Sequence, residues 1–304
     1  MELRQLEYFR QVVESGSFTR AAAVLGVAQP ALSRHIRRLE NELQQELLHR
    51  NGRGVTPTEA GERMLSHSRG ILRQMERARE DLRQLHAGLA GRVVIGLVPS
   101  LARTLAVPLI EAFRRELPQG TLSISEGLSA VLGEWLIAGR IDISVLYNPP
   151  VVPEMTLVPL ATEALCCVGP VDPRAARAPL TLRALAQLPL VVPNPPHVVR
   201  ALVETQMALI GCRPRIALAI DSVPTILDLV SHRAGYAVLT ESAIRTARRP
   251  QDYALRRITH PELTLRLNLA TMAERPATAT QRAVLRLVER TLPGLYPVTT
   301  ADRA

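Results

Sequence analysis

The segment SFTRAAAVLGVAQPALSRHIRRLENEL, residues 17–43, decides the N-terminal fold. It predicts two short helices joined by a turn at Gly26, with Pro30 in the first turn of the second helix. At helical spacing this second helix has an apolar face opposite a face of hydroxyl and guanidinium groups. The apolar face is Leu32, Ile36, Leu39 and Leu43, and the polar face is Pro30, Ser33, Arg34 and Arg37, with Arg38 beside it. Since guanidinium groups match phosphate oxygens and the guanine edge, the pattern predicts the recognition helix of a helix-turn-helix.

A plain helical bundle with a solvated arginine face is the alternative interpretation of this segment. Leu6, Phe9 and Val13 give a preceding helix an apolar side, and Gly16 ends that helix. The turn, the helix lengths and the polar face all agree with one another, which favours the helix-turn-helix over the bundle.

The residues after the recognition helix, LHRNGRGVT at 48–56, predict a small hairpin. Asn51-Gly52 is a strong turn signal between two short extended runs. Arg50 and Arg53 flank this turn, so the hairpin is interpreted as a wing that touches the DNA backbone or minor groove. An ordinary surface hairpin is the alternative.

A long helix is predicted next. Thr56 is expected as its N-cap, Pro57 as its first residue and Glu59 as the partner in a capping box, and the helix runs to about His86. A heptad seam runs along this helix, formed by Met64, Ser68, Ile71, Met75, Ala78, Leu82, Leu85 and Leu89. A lone helix cannot bury such a seam, so the pattern predicts a dimer through this helix. The alternative is that the seam packs on the C-terminal part of the same chain.

Composition limits the class of protein. The 304 residues suggest about two domains, or three if the second half is split, and the formal net charge is +9. Residues 1–90 hold 14 arginines against 11 acidic residues, a net charge of +3, and the remainder holds 23 against 17, a net charge of +6. Net charge therefore does not identify the DNA-binding half. No lysine occurs, so apart from histidine every basic side chain that could contact DNA is a guanidinium group.

Cysteine usage and hydropathy predict a cytoplasmic protein. Cys166, Cys167 and Cys212 have neither metal-ligand spacing nor a disulfide pattern, and they are interpreted as small buried hydrophobic residues. Polar residues interrupt the first helix, so no signal peptide is expected, and no apolar run is long enough to span a membrane.

From Arg92 onward, short apolar strands alternate with amphipathic helices. The run VVIGLV at 93–98 is typical of a strand buried on both faces, and the alternation predicts a doubly wound α/β sheet. Two such βα sets follow each other, with a strand expected at 164–169 in the second. Two lobes with a cleft between them are therefore predicted.

Ligands in such sheets bind at the carboxyl ends of strands, near helix N-termini. The candidate effector-binding residues at these positions are Pro99, Ser100, Leu101, Ser129, Tyr147, His197 and Ser222. Ser100, Ser129 and Ser222 could equally be simple helix N-caps, and His197 could be an ordinary loop residue. The cleft loops hold little charge apart from Arg103 and His197.

No catalytic or metal-binding constellation is predicted, and neither is a cofactor site. The GLSAV segment at 127–131 does not match the G-x-S-x-G elbow at its last position, and the seven histidines form no H-E-x-x-H. An enzyme using Ser100 as nucleophile has no assignable His–Asp pair. A solute-binding protein would suit the two-lobed half alone, but it requires export and leaves the first 90 residues unexplained.

Four motifs carry a resemblance to the LysR-type transcriptional regulators, and the resemblance covers essentially the whole chain. The motifs are FTRAA at 18–22, AQPALS at 28–33, IRRLE at 36–40 and RGVTPTEAG at 53–61. Leu48 stands where the family usually has Phe, which should alter only wing packing. AQPALS, VTPTEAG and VLYN at 145–148 resemble the subgroup that contains the nitrogen assimilation control protein.

The resemblance implies an α/β fold class: an N-terminal winged helix-turn-helix and long linker helix, then a two-lobed, doubly wound α/β effector-binding domain resembling periplasmic binding proteins. The implied domains are 1–58 for DNA binding, 59–90 for the linker helix and 91–304 for effector binding. Lobe I would span about 91–161 and 266–304, and lobe II about 162–265. The lobes would be joined by crossovers near 160–163 and 261–266.

The resemblance also implies function and partners. The chain would be a regulator whose promoter activity is modulated by a small molecule bound between the lobes. Its partners would be double-stranded DNA with an interrupted inverted repeat near a promoter, the effector, further copies of itself in a dimer of dimers, and RNA polymerase. The DNA-binding residues would be Ser17, Thr19, Arg20, Gln29, Pro30, Ser33, Arg34, Arg37, Arg38, Arg50 and Arg53.

Overall fold

The computed structural model describes residues 1–51, 54–87, 91–171 and 178–294 of the chain. The chain divides into two units, Met1–Gly88 with Trp135–Ile141, and Leu89–Glu134 with Asp142–Ala304. No described helix combines the length and the hydropathy that crossing a membrane requires. The elements of the first unit are α1 (Leu3–Ser15), α2 (Phe18–Leu25), α3 (Gln29–Leu43), β1 (Leu48–Asn51), β2 (Gly54–Pro57) and α4 (Glu59–Ala87).

Helices α1 to α3 form the predicted three-helix core. Helices α1 and α2 end at Gly16 and Gly26, whose φ angles of +60° and +66° suit glycine. On α3, Leu32, Ile36 and Leu39 are fully buried, as the periodicity predicted. Leu43 was predicted to share this face but is 36% exposed, because it is the last residue of the helix and extends past the core.

Strands β1 and β2 form the predicted antiparallel hairpin, with Leu48 opposite Pro57 and Arg50 opposite Val55. The backbone N–H of Val55 donates to the Gly16 carbonyl at 3.0 Å, so the hairpin is bonded to the α1–α2 turn. Gly52 of the predicted Asn51-Gly52 turn and the predicted wing residue Arg53 lie outside the described part of the chain.

The start of α4 corrects the predicted cap. Thr56 was expected as the N-cap, but it pairs with His49 inside β2. Because the strand continues through Pro57, the helix begins two residues later and Thr58 is its cap. The Thr58 hydroxyl accepts the Gly61 N–H at 3.0 Å and donates to the Glu46 carbonyl at 2.7 Å.

Some apolar residues of helix α4 are buried in the core of the first unit, and others are exposed. Leu65 and Leu72 are 5% exposed and pack in the core of the first unit, together with the partly buried Met64 and Met75. Ser68 is fully buried, and its hydroxyl donates to the Met64 carbonyl at 2.7 Å. The other described seam residues, Ile71, Ala78 and Leu82, are exposed. Leu85 and Leu89 lie outside the side chains that the structure describes.

The described part of the second unit contains ten strands and seven α-helices, and most of its strands are followed by a helix, as predicted. The strands are β3 (Arg92–Leu97), β4 (Thr121–Glu126), β5 (Ile143–Tyr147), β6 (Met155–Pro170), β7 (Leu180–Thr181), β8 (Pro189–Val192), β9 (Arg215–Ala219), β10 (Ala237–Thr240), β11 (Tyr253–Thr259) and β12 (Thr264–Met272). The helices are α5 (Pro99–Glu116), α6 (Ser129–Ile137), α7 (Leu182–Leu185), α8 (Val198–Leu209), α9 (Val223–Ser231), α10 (Glu241–Arg245) and α11 (Ala279–Thr291).

Two lobes are defined by the strand order. In lobe I the strands follow the order β4-β3-β5-β12-β6, with β3, β4 and β5 parallel to one another and β12 antiparallel to both its neighbours. In lobe II the second half of β6 pairs with β10 and β11, and β11 pairs with β7. Strands β8 and β9 form a parallel pair that adjoins β10 through a bridge between Leu190 and Tyr236.

Strand β6 is longer than the sequence predicted. A strand was expected at 164–169, but β6 runs from Met155 to Pro170 and passes from the sheet of lobe I into that of lobe II. Its first half is not a continuous apolar run, so the pattern did not reveal it. Strand β11 was also missed, because Arg256 and Arg257 interrupt its apolar character.

Candidate functional site

The predicted recognition face lies on α3 of the first unit. Gln29, Pro30, Arg34 and Arg37 are exposed, and Ser33 is half-buried. Within the described part of the chain, neither Arg34 nor Arg37 has an ion-pair or hydrogen-bond partner. Two guanidinium groups one helical turn apart are thus free to bind phosphate or a guanine edge.

The other predicted DNA-binding residues around this face differ in whether their side chains bond within the protein. Ser17 caps α2, since its hydroxyl accepts the Arg20 N–H at 3.4 Å, whereas the side chains of Thr19 and Arg20 are exposed. Arg38 is turned toward the start of α1, where its guanidinium lies 3.6 Å from the Glu2 carboxylate. Both partners are well exposed, so this pair holds Arg38 only weakly.

Arg50 is held within the protein more firmly than its place on the hairpin predicted. Its guanidinium pairs with the Glu40 carboxylate at 3.1 Å, lies 3.5 Å from the Ser33 hydroxyl and stacks 4.9 Å from the centre of the Phe18 ring. Glu40 also accepts the Leu47 N–H at 3.1 Å. No sequence pattern pointed to this contact between helix α3 and the hairpin.

A cavity of about 610 Å³ lies within the second unit, between the two lobes. The first turns of α5, α6, α8 and α9 line it, and each follows the carboxyl end of a strand or a strand-connecting loop. Helix N-termini present unpaired N–H groups and a positive dipole end, so they can bind polar or anionic groups of a ligand. Most of the wall is apolar.

Six of the seven predicted effector residues line this cavity: Pro99, Ser100, Ser129, Tyr147, His197 and Ser222. Leu101 does not line it. Leu101 is fully buried, because its position on α5 shares a face with Leu105 and Leu109, which pack in the core of lobe I.

The three serines have different roles in their helices. Ser222 is the N-cap of α9, since its hydroxyl accepts the Thr225 N–H at 3.4 Å. Ser129, the first residue of α6, accepts the Tyr147 N–H at 3.1 Å. Ser100 is the second residue of α5, whose cap is Val98, and no described hydrogen bond joins its hydroxyl to a histidine. The N-cap alternative therefore holds for Ser222.

His197 is the N-cap of α8. Its Nδ1 accepts the Val199 N–H at 3.3 Å, so the neutral ring carries its proton on Nε2. Burial lowers the pKa of His197, and the nearby Asp221 carboxylate opposes this shift. Both the cap and the burial favour the neutral imidazole.

We expect the stability of the second unit to fall as the pH drops below about 6.5, the ordinary pKa of histidine. In that pH range His197 binds a proton more readily in the unfolded chain than in the folded chain, because folding lowers the pKa of His197. Urea denaturation at pH 5.5 and 7.5 measures this loss. In His197→Asn, whose amide oxygen can still cap α8, the loss between the two pH values should be smaller; equal losses in both proteins would contradict the prediction.

The cavity also holds polar residues that were not among the seven predicted effector-binding residues. Asp221 accepts the Asn194 N–H at 3.1 Å, and Arg103 reaches from α5 of lobe I to the Thr246 carbonyl of lobe II at 3.1 Å. Thr240 ends β10 and caps α10. It occupies the same kind of strand–helix junction as the predicted residues, and it was missed because α10 itself was not predicted.

Cys166 and Cys167 are buried in β6, as predicted, and Cys212 is half-buried. Burial raises the pKa of both β6 thiols, that of Cys167 to about 12. These two thiols therefore stay protonated and act as small apolar side chains.

Comparison with known protein families identifies both halves of the chain. Residues 3–62 match the model of the bacterial regulatory helix-turn-helix protein, lysR family. Residues 86–293 match the model of the LysR substrate binding domain. Together the two models account for most of the chain.

Curated relatives agree with these family models. The nitrogen assimilation regulatory protein nac of Klebsiella aerogenes is 37% identical over 295 residues, which cover 95% of this chain and 96% of that protein. The protein of the same name from Escherichia coli is 36% identical and covers 95% of this chain and 94% of its own length. These relatives are named as regulators and not as enzymes or solute-binding proteins.

Solved structures show the same fold. Full-length OxyR of Pseudomonas aeruginosa, in a variant form, has a TM-score of 0.75 at 24% identity, covering 100% of this chain and 99% of that chain. The LysR family regulator CbnR has a TM-score of 0.69 at 24% identity, covering 96% and 99%. CbnR has also been solved in complex with its target DNA.

The helix-turn-helix, the two-lobed α/β unit, the family models and the relatives all agree. The predicted resemblance and its nitrogen-assimilation subgroup are thereby confirmed, and so is the fold class. The chain belongs to the LysR family of bacterial transcriptional regulators.

Proposed function

We propose that this regulator binds an interrupted inverted repeat in double-stranded DNA near a promoter, and that a small molecule held between the lobes modulates transcription from it. The observation that carries the DNA-binding part is the pair of exposed guanidinium groups of Arg34 and Arg37 on α3, which lack partners among the described residues. Gln29, Pro30 and Ser33 lie beside them and would contact the same groove.

Self-association is part of the proposal. Ile71 and Leu82 of α4 are 38% and 67% exposed, and this apolar surface suits a second copy of the same helix. Two such dimers would form the tetramer, which would act in the cytoplasm and contact RNA polymerase. We assign 1–58 to DNA binding, 59–90 to the linker helix and 91–304 to effector binding.

Selection of bound duplexes from random DNA with the full-length protein tests the DNA-binding part. We expect an inverted repeat with a central interruption, since each protomer of a dimer reads one half-site. Recovery of DNA without any shared sequence would contradict the proposal and leave only nonspecific attraction to a basic surface.

The cavity is tested separately with Ala130→Trp, which places an indole on an exposed position of the cavity wall. A panel of small metabolites is screened for compounds that raise the melting temperature of the wild-type protein. We expect such compounds to have no effect on the variant, which should still bind the selected DNA. Equal stabilisation of both proteins would place the ligand elsewhere.

Removing the charge of Glu40 should change how DNA binding depends on salt. In Glu40→Gln the amide oxygen still accepts the Leu47 N–H, but the ion pair that holds Arg50 is lost. Arg50 can then reach a phosphate, so the slope of log affinity against log salt concentration should steepen by about 0.9.

The matched control is Glu42→Gln. It removes the same charge from the same helix without touching Arg50, because Glu42 pairs with the N-terminal amine of Met1. Fluorescence anisotropy at several salt concentrations measures both slopes. Equal slopes for the two variants would show that Arg50 is not released by the loss of Glu40.

A further inference from the structure

Glu163 joins the two lobes through hydrogen bonds at the point where β6 passes from one sheet to the other. It pairs with Leu265 of β12 in lobe I, and two residues later Leu165 pairs with Thr240 of β10 in lobe II. One carboxylate oxygen accepts the Tyr147 hydroxyl at 2.5 Å, and the other accepts the Ser242 hydroxyl at 2.5 Å. Tyr147 belongs to lobe I and Ser242 to lobe II.

The hydroxyl groups of Thr240 and Ser242 donate in sequence toward the Glu163 carboxylate. Ser242 has a single hydroxyl proton, which it donates to Glu163, so the Thr240 hydroxyl must donate in the 2.9 Å contact between Thr240 and Ser242. Thr240 in turn accepts the Ala243 N–H at 3.3 Å. The result is a chain from Thr240 through Ser242 to Glu163, which Tyr147 meets from the other side.

Both ends of this chain lie on the cavity. Tyr147 lines it from lobe I and Thr240 lines it from lobe II, while Glu163 and Ser242 connect the two from behind. Tyr147, Ser242 and Thr240 are all nearly buried, at 5%, 4% and 6% exposure. Hydrogen bonds to a carboxylate in such surroundings are stronger than those between neutral groups.

We propose that Glu163 is a positioning residue of the cavity, which sets the separation of the Tyr147 and Thr240 walls by hydrogen bonding to one lobe on each carboxylate oxygen. A ligand that moves one lobe relative to the other must break or rearrange this chain. The role of Glu163 in an effector response rests on the proposed function, whereas the coupling of the two walls does not require a ligand.

Amide hydrogen exchange in the free, full-length protein tests the coupling. The variant Tyr147→Phe removes one bond to Glu163 without changing the shape of the side chain. We expect exchange to become about tenfold faster in residues 237–247 of lobe II, because the hydrogen bond that Tyr147 donates to the charged Glu163 is lost. Ser242→Ala should reciprocally speed exchange in residues 143–149.

Ser144→Ala is the matched control. Ser144 is fully buried on the same strand as Tyr147, and its hydroxyl donates to the Gly96 carbonyl at 3.1 Å. It has no bond to Glu163, so its loss should affect residues 143–149 and leave residues 237–247 unchanged. Unchanged exchange at 237–247 in Tyr147→Phe, or an equal change in Ser144→Ala, would overturn the proposal.

Two substitutions at Glu163 separate positioning from simple packing. Glu163→Ala should speed exchange in both segments together. Glu163→Gln keeps the shape and one acceptor oxygen, and its amide can donate to the other hydroxyl oxygen, so exchange in both segments should stay as slow as in the wild type. Exchange in either segment of the Gln variant as fast as in the Ala variant would contradict the positioning role. If the Ala variant does not fold, Tyr147→Phe and Glu163→Gln carry the test, and the screen with Ala130→Trp addresses the effector independently.

Discussion

Replacing Gly61 by alanine should lower the free energy of unfolding of the first unit by about 2–3 kcal/mol. Gly61 lies in the first turn of α4, and a Cβ there would come within 2.0 Å of the Leu47 carbonyl oxygen and 3.1 Å of Pro57 Cβ. The Leu47 carbonyl cannot retreat freely, because it accepts the Thr58 N–H at 3.0 Å. The clash outweighs the gain in helix propensity of about 1 kcal/mol.

Gly133→Ala is the matched control. Gly133 also lies within a helix, α6, but a Cβ added there meets no heavy atom within 4 Å. Its substitution should therefore be neutral or stabilising by up to about 1 kcal/mol. Chemical denaturation followed by circular dichroism compares the two variants. A Gly61→Ala protein as stable as Gly133→Ala would show that the close approach at Leu47 is relieved at little cost.

Loss of both Arg34 and Arg37 should abolish sequence-specific DNA binding. Each bidentate contact to a base contributes about 1–3 kcal/mol of discrimination, so each arginine should be worth roughly tenfold to a hundredfold in affinity for the selected duplex. The double variant Arg34→Ala/Arg37→Ala is compared with wild type by fluorescence anisotropy at one salt concentration, on the selected duplex and on a scrambled one.

Arg114→Ala serves as the control for charge, because Arg114 is exposed on α5 of the second unit. It should weaken binding to both duplexes slightly and equally. If the double variant likewise loses the same factor on both duplexes, the two arginines contact phosphates and do not read bases, and the base-reading assignment of α3 is wrong.

The local sequence pattern was sufficient to predict most elements of the first unit. The period of Leu32, Ile36 and Leu39 predicted the buried face of α3, and Asn51-Gly52 predicted the hairpin. The cap of α4 was placed two residues early, because Thr56 is followed by Pro57 and Glu59 and so fits the capping-box pattern, whereas Thr58 does not. The pairing of Thr56 with His49 keeps Thr56 within the hairpin, so the cap falls on Thr58.

The candidate site was predictable only as far as strand–helix junctions were visible in the sequence. Ser100, Ser129 and His197 follow strands or begin helices, so their place on the cavity could be expected. The bonds of Glu40 to Arg50 and of Glu163 to Ser242 could not be. The first joins a helix to a hairpin and the second joins residues 79 positions apart, and no periodicity encodes either.

The central position of β12 in the lobe I sheet has a consequence for the order of assembly during synthesis. Strand β12 separates β5 from β6, yet it lies at 264–272, after the whole of lobe II. All five residues of β5 are buried in the finished sheet, so the edge of β5 must wait for its partner while about a hundred further residues emerge from the ribosome. Lobe II can complete its contiguous strands first, and the waiting edge is the point of the nascent chain most exposed to wrong pairing and to chaperone capture.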